Sequence, residues 1–324
     1  MSIRVLIVDD SPFVREVLRT LIGEYPDIEI VGEASDGRRA QEMAISCDPD
    51  VITMDLLMPM VDGVEAVRNI IATYPTTIII VSDATGDEAV AAMEAGAIDV
   101  FPKPRAGFSR SDADELVGLI RSAARMDRDE LSRPPIRLEM NASLRQRLRR
   151  ARCIGVVAST GGPQLIRALV CALPADLNAA MLIVQHTSVG CTEALASWFQ
   201  RDAAVQVRVA REGEKVVPGT VFVAPDDRHL EVADGRLLLS KTPPVSGHRP
   251  SATVLLEALA REYGERVVSV VLTGMGRDGA AGARAVEEAG GLVVVQEPTT
   301  ATIDGMPRQA IRETRGALIT LPEE

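Results

Sequence analysis

Carboxylate residues stand at the ends of two apolar runs near the start of the chain. Asp9 and Asp10 follow Val5–Val8, and Asp55 follows Val51–Met54. Three carboxylates brought to one edge of a sheet repel one another unless a cation lies between them, and Mg²⁺ binds carboxylate, water and phosphate oxygens. Such an ion would also screen an incoming phosphoryl group. The pattern therefore predicts a Mg²⁺ site at which Asp55 acts as the nucleophile for phosphoryl transfer.

A hydroxyl and an ammonium group follow two later apolar runs. Ser82 comes directly after Ile78–Val81, and Lys103 comes shortly after Ile98–Phe101. In a doubly wound sheet, ligands bind beyond the carboxyl ends of the strands. We therefore expect both side chains at the same edge of the sheet as the carboxylates.

In the second half of the chain, Ser159 ends the apolar run Ile154–Ala158 and is followed by the sequence TGGP. Glycine permits a tight turn, and proline suits the first turn of a helix. A serine nucleophile or a bound phosphate would lie at such a corner, beside the free N–H groups of a helix start. A phosphate loop or a plain tight turn explains the motif equally well.

A histidine and an aspartate end two further strands of the second half. His186 follows Met181–Gln185, whereas His229 and His248 end no predicted strand. Asp278 lies in LTGMGRDGAAG, where glycines lead from a strand into a helix. An Asp there can accept the imidazole Nδ1–H and stabilise the imidazolium. A lone histidine could be a structural bridge, but serine, histidine and aspartate at one edge predict a catalytic triad.

The elements that position these residues follow an α/β pattern. Apolar runs alternate with amphipathic segments, which is typical of a parallel sheet with helices on both faces. Another strand is expected at Glu29–Ala34, and a helix is expected to begin at Ser11-Pro12. In a flavodoxin-like sheet of order 2-1-3-4-5, the three carboxylates would converge at one edge.

A second α/β pattern begins after Cys153 and is interrupted by short β-like runs between Val205 and Leu239. We therefore expect two doubly wound domains, at 1–121 and 153–324, with a small β-rich insertion in the second. The segment 122–152 between them is rich in arginine and contains Pro134-Pro135, which indicates a linker. It could be a solvated tether or a basic surface that docks on an acidic partner.

Composition narrows the classes of protein that fit. The 46 acidic and 35 basic residues give a net charge of -11, which disfavours binding to nucleic acid phosphates. No segment approaches the run of about 20 apolar residues that a membrane span needs, and the amino end lacks the pattern of a signal peptide. The four cysteines are scattered, as expected for reduced thiols in the cytoplasm.

The first domain resembles a response-regulator receiver domain. VLIVDD, PDVITMDLLMPMVDG, IIIVS and FPKP stand where that family keeps its site. The resemblance implies that Asp55 is the phosphoacceptor and that Asp9, Asp10 and Asp55 hold Mg²⁺. It also implies that Ser82 is the switch hydroxyl and that Lys103 contacts the phosphoryl group. The alternative is a degenerate receiver whose acids only cap strands, although every position of the site is filled.

The second domain resembles the catalytic domain of the CheB family of chemotaxis receptor methylesterases. The resemblance rests on IGVVASTGGP, LIVQH, PGTVFVAPDDRHLEV, GHRPS, VVLTGMGRDGAAG and DGMPRQAI. It implies that Ser159 is the nucleophile, His186 the base and Asp278 its orienting partner. It further implies that Met275 donates a backbone N–H to the oxyanion and that Thr160 assists His186. Receiver, linker and esterase, in this order, are the architecture of that family.

The resemblance implies a phosphorylation-activated serine hydrolase in the cytoplasm. Its substrates would be glutamate methyl esters of chemoreceptors, and the same chemistry could deamidate receptor glutamines. A histidine kinase would be the phosphodonor, Mg²⁺ would serve the receiver site, and the esterase would need no cofactor. The other reading is a non-catalytic binding module, controlled by the receiver, whose STGG turn holds a phosphate or a protein. An intact triad disfavours that reading.

One loop departs from the family pattern. Family members follow the catalytic histidine with Met-Pro and, shortly after, with Phe-Thr, where this chain has Thr187-Ser188 and Cys191-Thr192. The segment EPTTATIDGMP also differs from the family version. We therefore expect a receptor whose methylation sites have different surrounding sequences.

Overall fold

The protein is described by a computed structural model that covers residues 2–58, 63–84, 86–104, 107–126 and 150–322. The chain forms two compact units, which are divided between residues 134 and 135. Most of the predicted linker, 127–149, lies outside the described residues. None of the described helices combines the length and apolar character that crossing a membrane requires. Each unit has an α/β architecture of its own.

The first unit is built on a five-stranded sheet of order β2-β1-β3-β4-β5, which confirms the predicted order. All of its strand pairs are parallel. The strands are β1 (Ile3–Val8), β2 (Ile28–Ala34), β3 (Val51–Met54), β4 (Thr77–Ser82) and β5 (Asp99–Pro102). Strands β3 and β4 are buried along their whole length, as expected when helices cover both faces of a sheet. The carboxyl ends of β1, β3, β4 and β5 meet at one edge.

Local sequence determines where the helices of this unit begin. They are α1 (Pro12–Gly23), α2 (Gly37–Cys47), α3 (Gly63–Thr73), α4 (Asp87–Ala95) and α5 (Arg110–Ala123). Helix α1 begins where the sequence predicted, since Ser11 accepts a hydrogen bond from the N–H of Val14 and proline takes the first position. At the start of α5, Ser109 and Asp112 each bond the backbone N–H of the other.

The second unit is built on a seven-stranded parallel sheet of order β14-β13-β12-β6-β7-β9-β8. The strands are β6 (Cys153–Ala158), β7 (Ala180–Gln185), β8 (Gln206–Val209), β9 (Thr220–Val223), β12 (Val267–Val271), β13 (Leu292–Gln296) and β14 (Leu318–Thr320). The chain proceeds from β6 to β7 on one side and later places β12 on the other side of β6. The strand order thus reverses at β6, the position where doubly wound sheets bind ligands.

The predicted β-rich insertion is an antiparallel hairpin. Its strands, β10 (His229–Ala233) and β11 (Arg236–Ser240), are joined by Asp234-Gly235. Both turn residues have positive φ angles, +50° and +67°, as in the two-residue turns that fit the twist of a hairpin. Strands β8 and β9, which precede the hairpin, extend the main sheet instead.

Helices cover the second sheet and surround its reversal point. They are α6 (Gly162–Ala172), α7 (Thr192–Gln200), α8 (Ala252–Tyr263), α9 (Ala280–Glu288) and α10 (Gly305–Glu313). Helix α8 packs closely on β6, because Gly155 has no side chain: a Cβ atom there would lie 2.7 Å from both Leu256 and Leu259. The start of α8 is capped by Ser251, which accepts a hydrogen bond from the N–H of Val254.

Gly63 is the first residue of α3 and packs against the end of β3, next to Asp55. Replacing Gly63 tests this packing. A Cβ atom at Gly63 would lie 2.6 Å from the Asp55 carbonyl oxygen and 2.5 Å from Leu56 Cα. Gly63→Ala should therefore lower the free energy of unfolding of the first unit by about 1–3 kcal/mol. In a urea titration of a fragment spanning 1–126, an unchanged midpoint would show that the close approach does not exist.

The matched control is Gly23→Ala at the end of α1. No atom lies within 4 Å of the carbon that this change adds. Because alanine restricts the unfolded chain more than glycine does, the free energy of unfolding should stay level or rise by less than about 1 kcal/mol.

Candidate active site

A buried aspartate holds the candidate site of the second unit together. Asp278 is 1% exposed and lies in the loop after β12. Its Oδ1 accepts hydrogen bonds from Ser251 Oγ at 2.8 Å and from the N–H of Thr253 at 3.0 Å. Its Oδ2 accepts one from the N–H of Ala252 at 2.7 Å and lies 3.0 Å from Nε2 of His186. The first turn of α8 and the imidazole thus fix both carboxylate oxygens.

These contacts keep Asp278 ionised. Burial by itself would raise the pKa of this carboxyl group, but the hydrogen bond and charge of His186, with the Thr253 N–H and the Ser251 hydroxyl, hold the pKa well below its ordinary value. The positive end of the α8 dipole acts in the same direction. Asp278 is therefore an anion at neutral pH and can pair with an imidazolium.

The imidazole of His186 is oriented differently from our expectation. We expected Asp278 to accept a hydrogen bond from Nδ1–H, but Nε2 is the nitrogen at 3.0 Å. The start of α8 fixes the position of the Asp278 carboxylate. At that position the carboxylate meets Nε2, the ring nitrogen farther from the His186 main chain. Nδ1 is buried and has no hydrogen-bond partner among the described residues. With Nε2–H donated to Asp278, Nδ1 carries the lone pair that can accept a proton.

Ser159 lies at the end of β6, in the turn that leads into α6. Its N–H donates to the carbonyl oxygen of Thr273 at 3.0 Å, and its own carbonyl accepts from the N–H of Gly162 at 2.8 Å. Gly161 has a φ of +76°, a conformation that glycine adopts without strain. The turn that the sequence predicted therefore holds Ser159 at the sheet edge, where the residue is partly exposed.

Gln185 joins the serine and the histidine, and the sequence analysis did not single it out. Its Nε2 donates to the carbonyl oxygen of Ser159 at 2.8 Å and to that of His186 at 2.7 Å. The amide is buried, and a Cβ atom on Gly162 would lie 2.3 Å from its Oε1. One side chain thus sets the separation of two strand ends. A buried glutamine at the end of an apolar strand was the available signal.

The loop after β12 reaches Ser159 through a glycine. A Cβ atom on Gly274 would lie 2.8 Å from Cβ of Ser159 and 2.3 Å from Sδ of Met306, so the two loops can approach only because the side chain is absent. Met275 follows Gly274 directly, in the segment that touches Ser159. Thr160 is buried, and its carbonyl oxygen accepts a hydrogen bond from Thr273 Oγ1 at 2.9 Å.

The other two histidines also lie at this site, although neither ends a β-strand. The ring of His248 stacks on that of His186, with 3.9 Å between centroids and 6° between planes. His229 is buried, and its Nδ1 accepts a hydrogen bond from the N–H of Ser251 at 3.2 Å. Selecting histidines only by their place at strand ends missed both, since a hairpin strand and a loop supply them.

The loop that departs from the family pattern is anchored by Asp226. Its carboxylate accepts hydrogen bonds from the N–H of Gly190 at 2.8 Å and from Oγ1 of Thr192 at 2.5 Å. Cys191 is buried, whereas the side chain of Val189 is 73% exposed. The part of the loop that a partner can contact therefore centres on Val189 rather than on Cys191.

In the first unit, the predicted acidic group is assembled at one sheet edge. Asp55 is 3% exposed. Ser82 Oγ donates to its Oδ1 at 2.6 Å, and Lys103 Nζ donates to its Oδ2 at 2.6 Å. Lys103 Nζ also lies 2.7 Å from Oδ2 of Asp9. The Ser82 hydroxyl and the Lys103 ammonium group, which were expected to contact the phosphoryl group, therefore already contact the unmodified Asp55 carboxylate.

Asp9, Asp10 and Asp55 each bring a carboxylate oxygen within 4.8 Å of the others. Burial raises the pKa of Asp9, although Lys103 acts against this. A further positive charge nearby would therefore stabilise the ionised form of Asp9. The pKa of Lys103 is raised: burial alone would lower it, but its bonds to Asp55 and Asp9 outweigh burial. Three hard oxygen donors, one of them on the exposed Asp10, fit a divalent cation with water ligands.

The first unit has a receiver-type sheet with an acidic cluster at one edge. The second unit has serine, histidine and aspartate at the reversal point of its sheet, and together these features define the class of receiver-linked serine hydrolases. Family models agree: residues 5–110 match the response regulator receiver domain, and residues 154–324 match CheB methylesterase. The chain belongs to the CheB methylesterase family.

Individual relatives cover nearly the whole chain. A protein-glutamate methylesterase/protein-glutamine glutaminase of Anaeromyxobacter dehalogenans is 42% identical over 95% of this chain and 92% of its own length. One of Pyrococcus horikoshii is 38% identical over 96% of this chain and 88% of its own length. The crystal structure of the Thermotoga maritima CheB methylesterase catalytic domain is 32% identical, with a TM-score of 0.51 over 53% of this chain and 94% of that chain.

The low pKa of Asp278 predicts a pH-dependent contribution to stability. Asp278→Asn would place an amide among groups that donate hydrogen bonds, and should lower the free energy of unfolding at pH 7 by about 3 kcal/mol. A depressed folded pKa gives stability that is present above the unfolded value near 4 and is lost as the pH falls through the folded value. The difference between the two proteins should therefore shrink below about pH 4.

Urea titrations at pH 7 and pH 3 would measure this difference. Trp198, the single tryptophan of the chain, lies in α7 and reports on the second unit by fluorescence. A difference of equal size at both pH values would contradict the assignment of Asp278 as the ionised, hydrogen-bonded group.

Proposed function

We propose that the chain hydrolyses glutamate methyl esters on chemoreceptor-like proteins, with Ser159 as nucleophile, and that phosphorylation of Asp55 activates it. The observation that carries this proposal is the His186–Asp278 pair. It leaves Nδ1 of the base with a free lone pair, and Gln185 ties the main chain of that base to the main chain of Ser159. Family membership supplies the class of substrate.

In the acylation step, Ser159 Oγ attacks the ester carbonyl carbon, and its proton passes to Nδ1 of His186. The ionised Asp278 stabilises the imidazolium through Nε2–H. The backbone N–H of Met275 would donate to the oxyanion, and Thr160 would assist His186. Collapse of the tetrahedral intermediate breaks the bond to methoxide, which takes the proton from His186 and leaves as methanol.

In the deacylation step, His186 removes a proton from water, and the hydroxide attacks the acyl carbon. The acyl–oxygen bond breaks, Ser159 regains its proton, and a glutamate side chain is released. A glutamine side chain would follow the same route with ammonia as the leaving group. The protein-glutamine glutaminase activity in the names of the relatives is therefore compatible with this site.

At the receiver site, an Asp55 carboxylate oxygen attacks the phosphorus of a phosphohistidine, the P–N bond breaks, and the donor imidazole leaves. With acetyl phosphate, a P–O bond breaks and acetate leaves. Asp9, Asp10 and Asp55 would hold a Mg²⁺ ion, which would screen the charge of the phosphoryl group. Ser82 and Lys103, which bond the free carboxylate, would then bond phosphoryl oxygens instead. Phosphorylation thus changes contacts that already exist, which is a local event able to bias a two-state surface.

The implied partners follow from these two reactions. A histidine kinase of a chemotaxis-like system would supply the phosphoryl group, and methylated receptors would be the substrate, with the chain acting in the cytoplasm. Residues 122–152 would link the receiver, at 1–121, to the esterase, at 153–324. No nucleic acid is expected to bind, and the esterase is expected to work without a cofactor.

The first prediction of this proposal concerns the nucleophile and separates the esterase from a non-catalytic binding module. A fluorophosphonate probe should label Ser159 in the wild type, and His186→Ala should abolish the labelling because the base is gone. Ser159→Ala should remove essentially all release of methanol from methylated receptor membranes. Asp278→Asn should lower kcat by up to about 10⁴-fold. Full hydrolysis by Ser159→Ala would contradict the mechanism.

The second prediction concerns the loop from Thr187 to Thr192. If this loop contacts the receptor, Thr187→Met should change the ratio of kcat/KM values between two receptor peptides while probe labelling of Ser159 stays constant. Cys191→Ala is the control, because the buried Cys191 can affect packing but cannot contact a peptide. A uniform effect of Thr187→Met on all peptides would show that the loop is structural.

The third prediction concerns control by phosphorylation. We expect the unphosphorylated receiver to restrain the esterase, so a fragment from residue 150 onward should be more active than the full chain. Acetyl phosphate with Mg²⁺ should raise only the activity of the full chain, and a tenfold rise requires a difference of only about 1.4 kcal/mol. Asp55→Ala should keep basal activity and lose the response. Equal kcat/KM values for fragment and full chain, with and without phosphodonor, would show that the receiver recruits rather than restrains.

A further inference from the structure

His248 covers one face of the candidate base. Its ring lies nearly parallel to that of His186, with 3.9 Å between centroids and 6° between planes. The contact is face to face, as in a stacked pair of rings. Among the described residues, the His186 ring has one hydrogen-bond partner, Asp278, at the edge that carries Nε2.

A tight turn carries His248 to this position. Val245 and His248 exchange backbone hydrogen bonds of 3.1 and 3.0 Å around Ser246 and Gly247. Ser246 has a φ of +53° and Gly247 a φ of +86°. A non-glycine residue in the left-handed region is uncommon and is maintained where surrounding structure requires it. The turn therefore fixes the main chain of His248, and with it the point from which its ring reaches His186.

A hydrogen bond at one ring nitrogen does not fix an imidazole. The torsion about the bond to the ring has a broad energy profile, so the His186 ring could rotate while its bond to Asp278 bends. A flat neighbour against the ring face removes this freedom. The bond and the stack together define the plane of the ring, and with it the direction of the Nδ1 lone pair.

We infer that His248 is a positioning residue for the base, whose flat face holds the His186 ring in the orientation for proton transfer and stabilises the imidazolium that forms. This inference rests on the proposed role of His186. An uncharged aromatic ring attracts a cation placed over its face, so the stack strengthens as His186 takes up the proton. His248 acts through His186 and needs no proton of its own.

Burial favours the neutral form of the His248 ring. Burial lowers the pKa of His248, the charge of His186 lowers it further, and Asp278 opposes both. The neighbouring Arg249 is paired with the carboxylate of Asp227. The lowered pKa thus favours an uncharged His248, and an uncharged ring does not repel an imidazolium stacked on it.

Two substitutions in the full chain separate the flat face from the imidazole chemistry. His248→Phe keeps a neutral aromatic face, and His248→Leu fills a similar space without one. With p-nitrophenyl acetate and a peptide carrying a glutamate γ-methyl ester, in acetyl phosphate and Mg²⁺, His248→Leu should lower kcat about tenfold or more with little change in KM. His248→Phe should keep kcat within about threefold of the wild type, since a phenyl face also attracts a cation.

Two results would overturn the inference. The first is a wild-type kcat in His248→Leu. The second is an equal loss of kcat in both variants, which would show that the imidazole itself is required. If His248→Leu does not fold, His248→Phe keeps the inference falsifiable, because a loss of kcat in a folded variant that keeps the flat face overturns it. Ser159→Ala, assayed in parallel, tests the proposed function separately. Hydrolysis that persists in that variant would contradict the proposal that Ser159 is the nucleophile.

Discussion

The bond between the buried Asp278 carboxylate and His186 Nε2 is the interaction on which the rest of the second unit depends. The carboxylate can be buried as an anion only because the start of α8 supplies donors to it, and it therefore lies where that helix begins. That position selects which nitrogen of His186 is bonded and leaves Nδ1 as the proton acceptor. The same loop brings Gly274 against Ser159, so one loop contacts both Ser159 and, through Asp278, His186.

The two sheets use a buried carboxylate in different ways. Asp278 accepts bonds from the start of α8 and from the His186 ring, and the proposed reaction leaves these partners in place. Asp55 accepts bonds from Ser82 and Lys103, two side chains that can shift to phosphoryl oxygens when the carboxylate is modified. A permanent anion suits a part that must stay in place, whereas exchangeable partners suit a switch. Both sites lie where the strand order of a doubly wound sheet brings several strand ends together.

Much of this architecture could be predicted from the chain, because strand ends in a parallel sheet share an edge and each carries its next residue there. The order of the first sheet, the start of α1 and a small β-rich insertion were predicted from the strand pattern, from Ser11-Pro12 and from short β-like runs, and all three are confirmed. The ring nitrogen that meets Asp278 was predicted wrongly, since it depends on where α8 begins relative to β7. His248 was missed because a loop turn places it at the site, and Gln185 because it acts through hydrogen bonds of its side-chain amide. Neither feature produces a periodic pattern in the sequence. Strand β14 was not predicted, since it is only three residues long and mostly exposed at the edge of the sheet.

The most direct test of this account is the tautomer of His186 in the resting enzyme. The chain has three histidines, so ¹⁵N-histidine labelling with single-histidine variants would assign each ring by NMR. At a pH where His186 is neutral, the account predicts a proton on Nε2 and an unprotonated Nδ1. In Asp278→Ala, the Nε2 proton should no longer show the chemical shift of a hydrogen-bonded proton. A proton on Nδ1, with an unprotonated Nε2, would contradict the assignment of Nδ1 as the base and with it the mechanism built on the Asp278 bond.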